Sequence, residues 1–333
     1  MKMRQLGASG PTVSAIGLGC MRMSNLQGAH TSKNRNDEEQ GLATIQAALD
    51  AGINLLNTGD FYGMGHNEML VGRAIKGRRD DAIISVKFGA QRSPSGTFLG
   101  VDARPSSVKN FAAYSLQRLG IDVIDIYQPG RVDANVPIED TVGAIADLIR
   151  EGKVRFLGLS EASAEHIRRA HAVHHVAALE IEYSLATRLI EREILPTVRE
   201  LGIGVVAYSV VAQGLLVGNI EGPLPLDDPR RRVFPRFEDD NLQHNLERVA
   251  LLKELAAAKG FTPTQIAIAW VLSRGDDIVP LVGMSRPSRL PENLAALDVQ
   301  LSPADLTHLD SAFAPGAIIG DRHPAQLKHL APS

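Results

Sequence analysis

Two side chains that could together transfer a proton stand close to apolar runs in the sequence. Lys87 follows the run 82–86, where partial burial makes an unpaired cation costly. Tyr62 lies five residues after Asn57, in a polar loop. A lysine cation within hydrogen-bonding reach lowers the pKa of a tyrosine from its usual value of about 10. Taken singly, each residue also has an ordinary interpretation: the lysine could extend to the rim of the fold and the tyrosine could pack in the core.

The elements that would position these residues form a repeat of amphipathic helix, glycine and short β-branched strand. Gly52, Gly120, Gly152 and Gly202 each separate a helical pattern from such a strand, and glycine suits the left-handed position that ends a helix. Eight strands are predicted, at 15–18, 53–57, 83–87, 123–128, 154–159, 178–182, 203–208 and 279–283. Eight alternating units favour a closed (β/α)₈ TIM barrel of the α/β class over a doubly wound open sheet.

Additions to this repeat are predicted at both ends of the barrel. An N-terminal β-hairpin formed by 3–6 and 12–14 would cap the bottom of the barrel. The segments 20–37 and 214–245 follow strands, so they would form long loops on the C-terminal face, where barrel enzymes bind substrate. The tail from Ala314 onward is expected to be irregular.

Composition restricts the class of protein. Of the 333 residues, 44% are hydrophobic and 22% are charged, as in an ordinary globular protein, and we expect a single domain over 1–333. The net charge of -3 gives no reason to expect nucleic acid or a membrane as partner. Cys20 is the only cysteine, which excludes an intramolecular disulfide, and no metal site is expected. There is no signal-peptide pattern and no run of eighteen apolar residues, so a cytoplasmic location is expected.

Several motifs resemble the aldo-keto reductase superfamily over nearly the whole chain. NTGDFYGMGHNEMLVGRAI resembles the second strand and following loop of that superfamily, and ISVKFG resembles its third strand. Further matches are GLGCM, VDANVPIEDT, VRFLGLSE, EIEYSL, VAYSVVAQGLLVG and GMSRPSRLPENLAAL. The resemblance places the catalytic tyrosine of the family on Tyr62 and the catalytic lysine on Lys87. It also implies a barrel that binds NADP(H).

Two catalytic positions depart from the family pattern. Asn57 stands where the family has an aspartate that pairs with the lysine, and Gly130 stands where it has a histidine. Asp60 or His66 could partly substitute, although neither matches the family position. Without the aspartate, Lys87 could act on Tyr62 with less compensation, or it could lose its own proton; the sequence leaves both outcomes open.

The resemblance also implies a set of cofactor contacts. Those near the nicotinamide and pyrophosphate are Ser160, Glu161, Glu180, Tyr208, Ser209, Gly214 and Leu215, and those near the adenosine are Gly283, Ser285, Arg289, Glu292 and Asn293. Arg289 matches the residue that pairs with the 2′-phosphate, and a guanidinium suits that recognition. Glu180 departs from the glutamine of the family. Met21 and Gly130 are the expected substrate contacts.

Three functions remain open at this point. The first is a carbonyl reductase or alcohol dehydrogenase for a small aldehyde or sugar-like substrate, with pyridoxal reductase as one variant. The second is an NADP(H)-binding regulatory subunit, as in the barrel subunits of potassium channels. The third is a low-activity non-enzyme. The sequence does not predict the substrate, the direction or the oligomeric state.

Overall fold

Eight parallel strands close a barrel in the computed structural model, which describes residues 1–24 and 35–323. The barrel strands are β3 (Gly17–Gly19), β4 (Leu55–Gly59), β5 (Ile83–Phe88), β8 (Ile124–Pro129), β9 (Val154–Ser160), β10 (Val176–Glu182), β11 (Gly204–Tyr208) and β12 (Ile278–Gly283). Each strand pairs with the next one in this order, and β12 pairs with β3 to close the ring. The prediction of a (β/α)₈ barrel is confirmed.

Helices lie between successive barrel strands along the chain, and the last two helices follow β12. They are α1 (Arg35–Asp50), α2 (His66–Ala74), α3 (Pro105–Leu119), α4 (Ile138–Arg150), α5 (Ala164–Val173), α6 (Ile194–Glu200), α7 (Pro229–Val233), α8 (Asp239–Lys259), α9 (Pro263–Leu272), α10 (Leu290–Leu294) and α11 (Pro303–Ala312). In α4, Ile138, Val142 and Ile145 recur at helical spacing and are buried against the barrel. Gly120 ends α3 at a φ of 64°, as its position in the sequence indicates. No helix in the described ranges is both long and apolar enough to cross a bilayer.

The N-terminal hairpin closes the bottom of the barrel. Its strands are β1 (Met3–Gln5) and β2 (Thr12–Ser14), which pair antiparallel. Leu6 and Val13 are fully buried and pack with apolar side chains inside the barrel. The turn lies so close to β11 that a Cβ atom on Gly7 would be 2.6 Å from the amide nitrogen of Gly204. The predicted cap is therefore confirmed.

The C-terminal face carries more ordered structure than the sequence predicted. A second hairpin, formed by β6 (Ala90–Arg92) and β7 (Phe98–Val101), follows β5 and was not predicted. The segment 214–245 contains α7 and the start of α8 rather than one irregular loop. Of the predicted loop 20–37, the part 25–34 lies outside the described residues.

Candidate active site

Lys87 is buried inside the barrel mouth and is paired with a carboxylate. Its Nζ atom lies 2.8 Å and 3.1 Å from the two carboxylate oxygens of Glu180, and it donates to Oδ1 of Asn57 at 2.5 Å. Both side chains of the ion pair are about 5% exposed or less. Burial opposes the lysine charge, but attraction to Glu180 and Tyr62 outweighs it and raises the pKa of Lys87.

Glu180 is held by three neighbours from three other strands. Besides Lys87, the amide Nδ2 of Asn57 donates to its Oε2 atom at 2.7 Å, and Nε2 of Gln128 donates to the same atom at 2.6 Å. Asn57, Gln128 and Glu180 come from β4, β8 and β10, which are alternate strands of the ring and so contribute to one layer of the interior. Lys87 therefore has a counter-charge that comes from β10 instead of β4. The two outcomes left open by the sequence, less compensation of the lysine or loss of its proton, both assumed no such charge.

Tyr62 lies beside this cluster, in the tight turn that follows β4. The Nζ atom of Lys87 is 5.2 Å from the centroid of its ring, and Phe61 packs against the ring edge-on. The side chain is buried, with 7% of its surface exposed. Burial raises the pKa of Tyr62 and the charge of Lys87 partly offsets that rise, so the hydroxyl keeps its proton at neutral pH.

The residues considered as substitutes have other partners. Asp60 accepts from the backbone amide of Gly89 at 3.2 Å, and His66 bonds to Ser24 and Glu38. Burial raises the pKa of Asp60 to about 7. Neither side chain forms a hydrogen bond or ion pair with Lys87 among the contacts that the structure describes, so the structure does not join them to the cluster.

Gly130 lies at the end of β8, against the tyrosine turn. A Cβ atom at this position would lie 3.2 Å from Cε1 of Phe61 and 3.3 Å from the carbonyl oxygen of Phe88. Any larger side chain here, histidine included, would require Phe61 to shift. Met21, the other expected substrate contact, lies in a turn just after β3 and is 36% exposed.

The expected nicotinamide contacts lie at the ends of β9 and β11. The hydroxyl of Ser160 is buried and has no hydrogen-bond partner in the described structure, so it is free to bind a ligand. Tyr208 ends β11, and Ser209 follows it at a φ of 58°. Gly214 adopts a φ of 97° in the next turn, and Leu215 beside it is buried. A buried hydroxyl without a partner at the barrel mouth is suited to form a hydrogen bond with an amide group of a bound ligand.

Glu161 forms a salt bridge that the sequence did not predict. Arg322, from the tail after α11, binds its Oε2 atom at 2.5 Å and also contacts Glu182 at 3.2 Å. Burial alone would raise the pKa of Glu161, but the hydrogen bond and charge of Arg322 lower it to about 2. The side chain of Asn245 on α8 holds the tail near the mouth. Its Nδ2 atom donates to the carbonyl oxygen of Ile319, and its Oδ1 atom accepts from the amide of Ile319. No local pattern in the sequence indicates this contact.

The expected adenosine contacts follow β12, on the outer edge of the mouth. Gly283 ends β12 and Ser285 follows it, and a single turn at Pro287–Arg289 leads into the short helix α10. Arg289 is exposed and pairs with Glu292 at 3.0 Å, whereas Asn293 is buried. The arginine is therefore accessible to a phosphate from solvent.

A family model matches almost the whole barrel. It is described as the aldo/keto reductase family and covers residues 15–314. The chain belongs to the aldo/keto reductase family. Membership makes it an oxidoreductase, and aldo/keto reductases generally use a nicotinamide cofactor to reduce carbonyl groups of small molecules.

Individual aldo/keto reductases agree with this assignment. A probable aldo-keto reductase from Glycine max is 40% identical over 328 residues, which is 98% of this chain and 93% of the relative. A glycerol dehydrogenase from Gluconobacter oxydans has a TM-score of 0.84 at 28% identity, covering 94% of this chain and 95% of its own. An aldo-keto reductase from Bacillus halodurans, in its holo form, has a TM-score of 0.76 at 29% identity, covering 94% and 96%.

Proposed function

We propose that this protein is an NADP(H)-dependent oxidoreductase that interconverts a small aldehyde or ketone and the corresponding alcohol. The observation that carries this proposal is the buried Tyr62 beside Lys87, whose charge is balanced by Glu180 at the barrel mouth. Chemistry in barrel enzymes lies at this end of the strands. A protonated hydroxyl next to a buried cation is suited to give a proton to a carbonyl oxygen.

Tyr62 is the proposed proton donor. Because burial raises its pKa, the hydroxyl is protonated at neutral pH and can serve as an acid. The charge of Lys87 stabilises the tyrosinate that remains after the proton has left. Asn57 fixes the position of that lysine through its 2.5 Å contact. These properties favour carbonyl reduction near neutral pH, with alcohol oxidation promoted at higher pH.

The cofactor would be held along the rim by residues that the structure leaves available. Ser160 offers a free buried hydroxyl, Tyr208 a ring at the end of its strand, and Arg289 an exposed guanidinium. When bound, the nicotinamide supplies or accepts the hydride. Because Glu180 binds Lys87 and Glu161 binds Arg322, Ser160 is the contact that we assign most directly to the carboxamide.

The preference for NADP(H) over NAD(H) depends on Arg289 in this proposal. Arg289→Ala should weaken NADPH binding by about 1.5–3 kcal/mol, the range for a hydrogen bond to a charged group, and leave NADH binding nearly unchanged. Fluorescence titration of the reduced cofactors measures both. Equal losses for the two cofactors would contradict the assignment of Arg289 to the 2′-phosphate.

The substrate class is a small carbonyl compound or its alcohol. Gly130 puts no side chain into the mouth, and one structural relative is a glycerol dehydrogenase, so small polyols and their aldehydes belong in the test panel beside pyridoxal. The test measures NADPH binding and then turnover over this panel. Binding with turnover supports the proposal, whereas tight binding without turnover of any panel member supports a regulatory subunit.

A further inference from the structure

We propose that Glu180 is the positioning residue that keeps Lys87 protonated and next to Tyr62, replacing from β10 the carboxylate that the family pattern places on β4. This inference rests on the proposed function, because it concerns the acid–base pair assigned there. The observation behind it is the contact of Lys87 with both oxygens of Glu180, at 2.8 Å and 3.1 Å. Glu180 acts through the lysine and not on the substrate.

The amide of Asn57 fits the carboxylate at Glu180 and would not fit a second carboxylate. Its oxygen accepts from Lys87, while its nitrogen donates to Oε2 of Glu180 at 2.7 Å. An aspartate at 57 would have no proton to donate and would face the carboxylate at that same short distance. The two residues are therefore matched to each other: the acid on β10 pairs with a neutral hydrogen-bond donor on β4.

The charge of the cluster is balanced in this arrangement. Lys87 contributes one positive charge and Glu180 one negative charge, whereas Tyr62, Asn57 and Gln128 are neutral. The family pattern, with aspartate on β4 and glutamine on β10, reaches the same balance with the two positions exchanged. Together, Asn57 and Glu180 therefore move the carboxylate from β4 to β10, and the site does not lose it.

Removal of the carboxylate has a defined effect on proton loss from the site. Tyr62 and Lys87 interact closely, so their protons leave in steps that belong to the pair. Whichever of the two groups loses a proton, a nearby negative charge opposes that loss. Glu180→Gln should therefore lower the pKa of the first step and move the fall of reductase activity at alkaline pH to lower pH. We expect a shift of about 1–3 pH units, the size of the effect of an adjacent opposite charge.

The sharpest test is an exchange of the two side chains. Glu180→Gln should shift the pH profile of kcat/KM downward, and Asn57→Asp should shift it upward because it adds a second carboxylate. The double variant Asn57→Asp/Glu180→Gln restores the charge balance and should return the profile to within about half a unit of the parent. If Glu180→Gln alone fails to fold, the comparison of Asn57→Asp with the double variant still measures the removal of Glu180.

A second readout does not require turnover. The pH titration of tyrosinate absorbance in the cofactor-free protein, corrected with Tyr62→Phe, reports the ionisation of Tyr62 even if no substrate is found. The same order of shifts is expected there, so failure of the proposed function is distinguishable from failure of this inference. Asp125→Asn is the matched control, because Asp125 is also fully buried and paired with arginines, but at the other end of β8.

Two results would overturn the inference. One is a Glu180→Gln protein whose pH profile and tyrosine titration equal those of the parent, including one that loses only NADPH affinity. The other is a double variant that behaves like Glu180→Gln, because the carboxylate on β4 would then not replace the one on β10. An equal shift in Asp125→Asn would also count against a local effect.

Discussion

At the scale of single residues, the barrel mouth places one protonated hydroxyl next to one buried cation. Tyr62 has the proton, Lys87 has the charge, and Gly130 puts no side chain where the family has a second acid. In the proposed mechanism, proton transfer therefore depends on this pair more than in an enzyme with a histidine at that position. If Tyr62 and Lys87 act together, substitution of either one should cause a similar loss of activity.

The first prediction concerns the hydroxyl of Tyr62. Tyr62→Phe should lower turnover by at least about a hundredfold, the low end of the contribution of positioned acid–base catalysis, and leave NADPH affinity nearly unchanged. Lys87→Met should lower turnover to a similar extent, and the double variant should lose little more turnover than either single variant. Activity of Tyr62→Phe within a few-fold of the parent would show that the proton comes from another group.

The raised pKa of Asp60 leads to a prediction about how stability depends on pH. Its pKa is raised to about 7 in the folded protein, mainly by burial and then by Glu68, whereas its ordinary value is 3.8. The folded state thus holds a proton that the unfolded state releases, so stability falls as the pH rises from about 4 to about 7. Each unit of pKa difference corresponds to about 1.36 kcal/mol.

Asp60→Asn should remove this part of the pH dependence. Urea unfolding at a series of pH values should give a free energy of unfolding that is flatter across that window than in the parent. The exposed Asp122→Asn is the control and should leave the slope unchanged. An Asp60→Asn protein with the parental slope would show that the buried carboxyl ionises normally.

At the scale of elements, the segment after β11 is the part expected to respond to the cofactor. Arg230 is half-buried, pairs with Asp228 at 2.7 Å, and lies beside Gly214, which is the proposed pyrophosphate turn. Bound NADP⁺ should therefore protect this segment against cleavage by trypsin near Arg230 and Arg231. Cleavage at the exposed Lys76, on the opposite side of the strands, is the internal control. Equal cleavage with and without NADP⁺ would count against a closing segment.

The order of elements was predictable from the sequence, whereas the contacts between distant elements were not. All eight strands were placed, because each apolar run is bounded by a glycine or a polar residue; β3 and β4 begin two residues later than predicted. The hairpin β6–β7 was missed because its strands are short and only partly buried.

The site was predictable only in part, for a physical reason. Tyr62 and Lys87 are local features, each recognisable from its own strand and loop. The pairing of Lys87 with Glu180 joins positions 93 residues apart, and it depends on which side chains of a closed ring point inward at the same height. The contact of Arg322 with Glu161 spans 161 residues and comes from a tail with no periodic pattern.

At the scale of the whole molecule, the two ends of the barrel have separate tasks. The N-terminal hairpin seals the bottom with Leu6 and Val13, while the mouth holds the polar cluster. Leu6→Ala should lower the free energy of unfolding by about 2–5 kcal/mol, as expected for a large apolar side chain removed from a packed interior. Because the mouth is at the opposite end, kcat below the unfolding transition should stay within a few-fold of the parent. A folded Leu6→Ala protein that has lost activity would show that the two ends are coupled.

The charge balance between β4 and β10 also has a consequence for ancestry. A gene with the family pattern needs two nucleotide-level events to reach Asn57 with Glu180, and their order matters. If the aspartate is lost first, the intermediate has a buried lysine without a counter-ion, which tends to lose its proton. If the glutamate is gained first, the intermediate has a second carboxylate near Lys87, so the lysine keeps a counter-ion and its proton throughout. The viable lineage should therefore have passed through an ancestor with acids on both strands, and a resurrected Asn57→Asp protein approximates it.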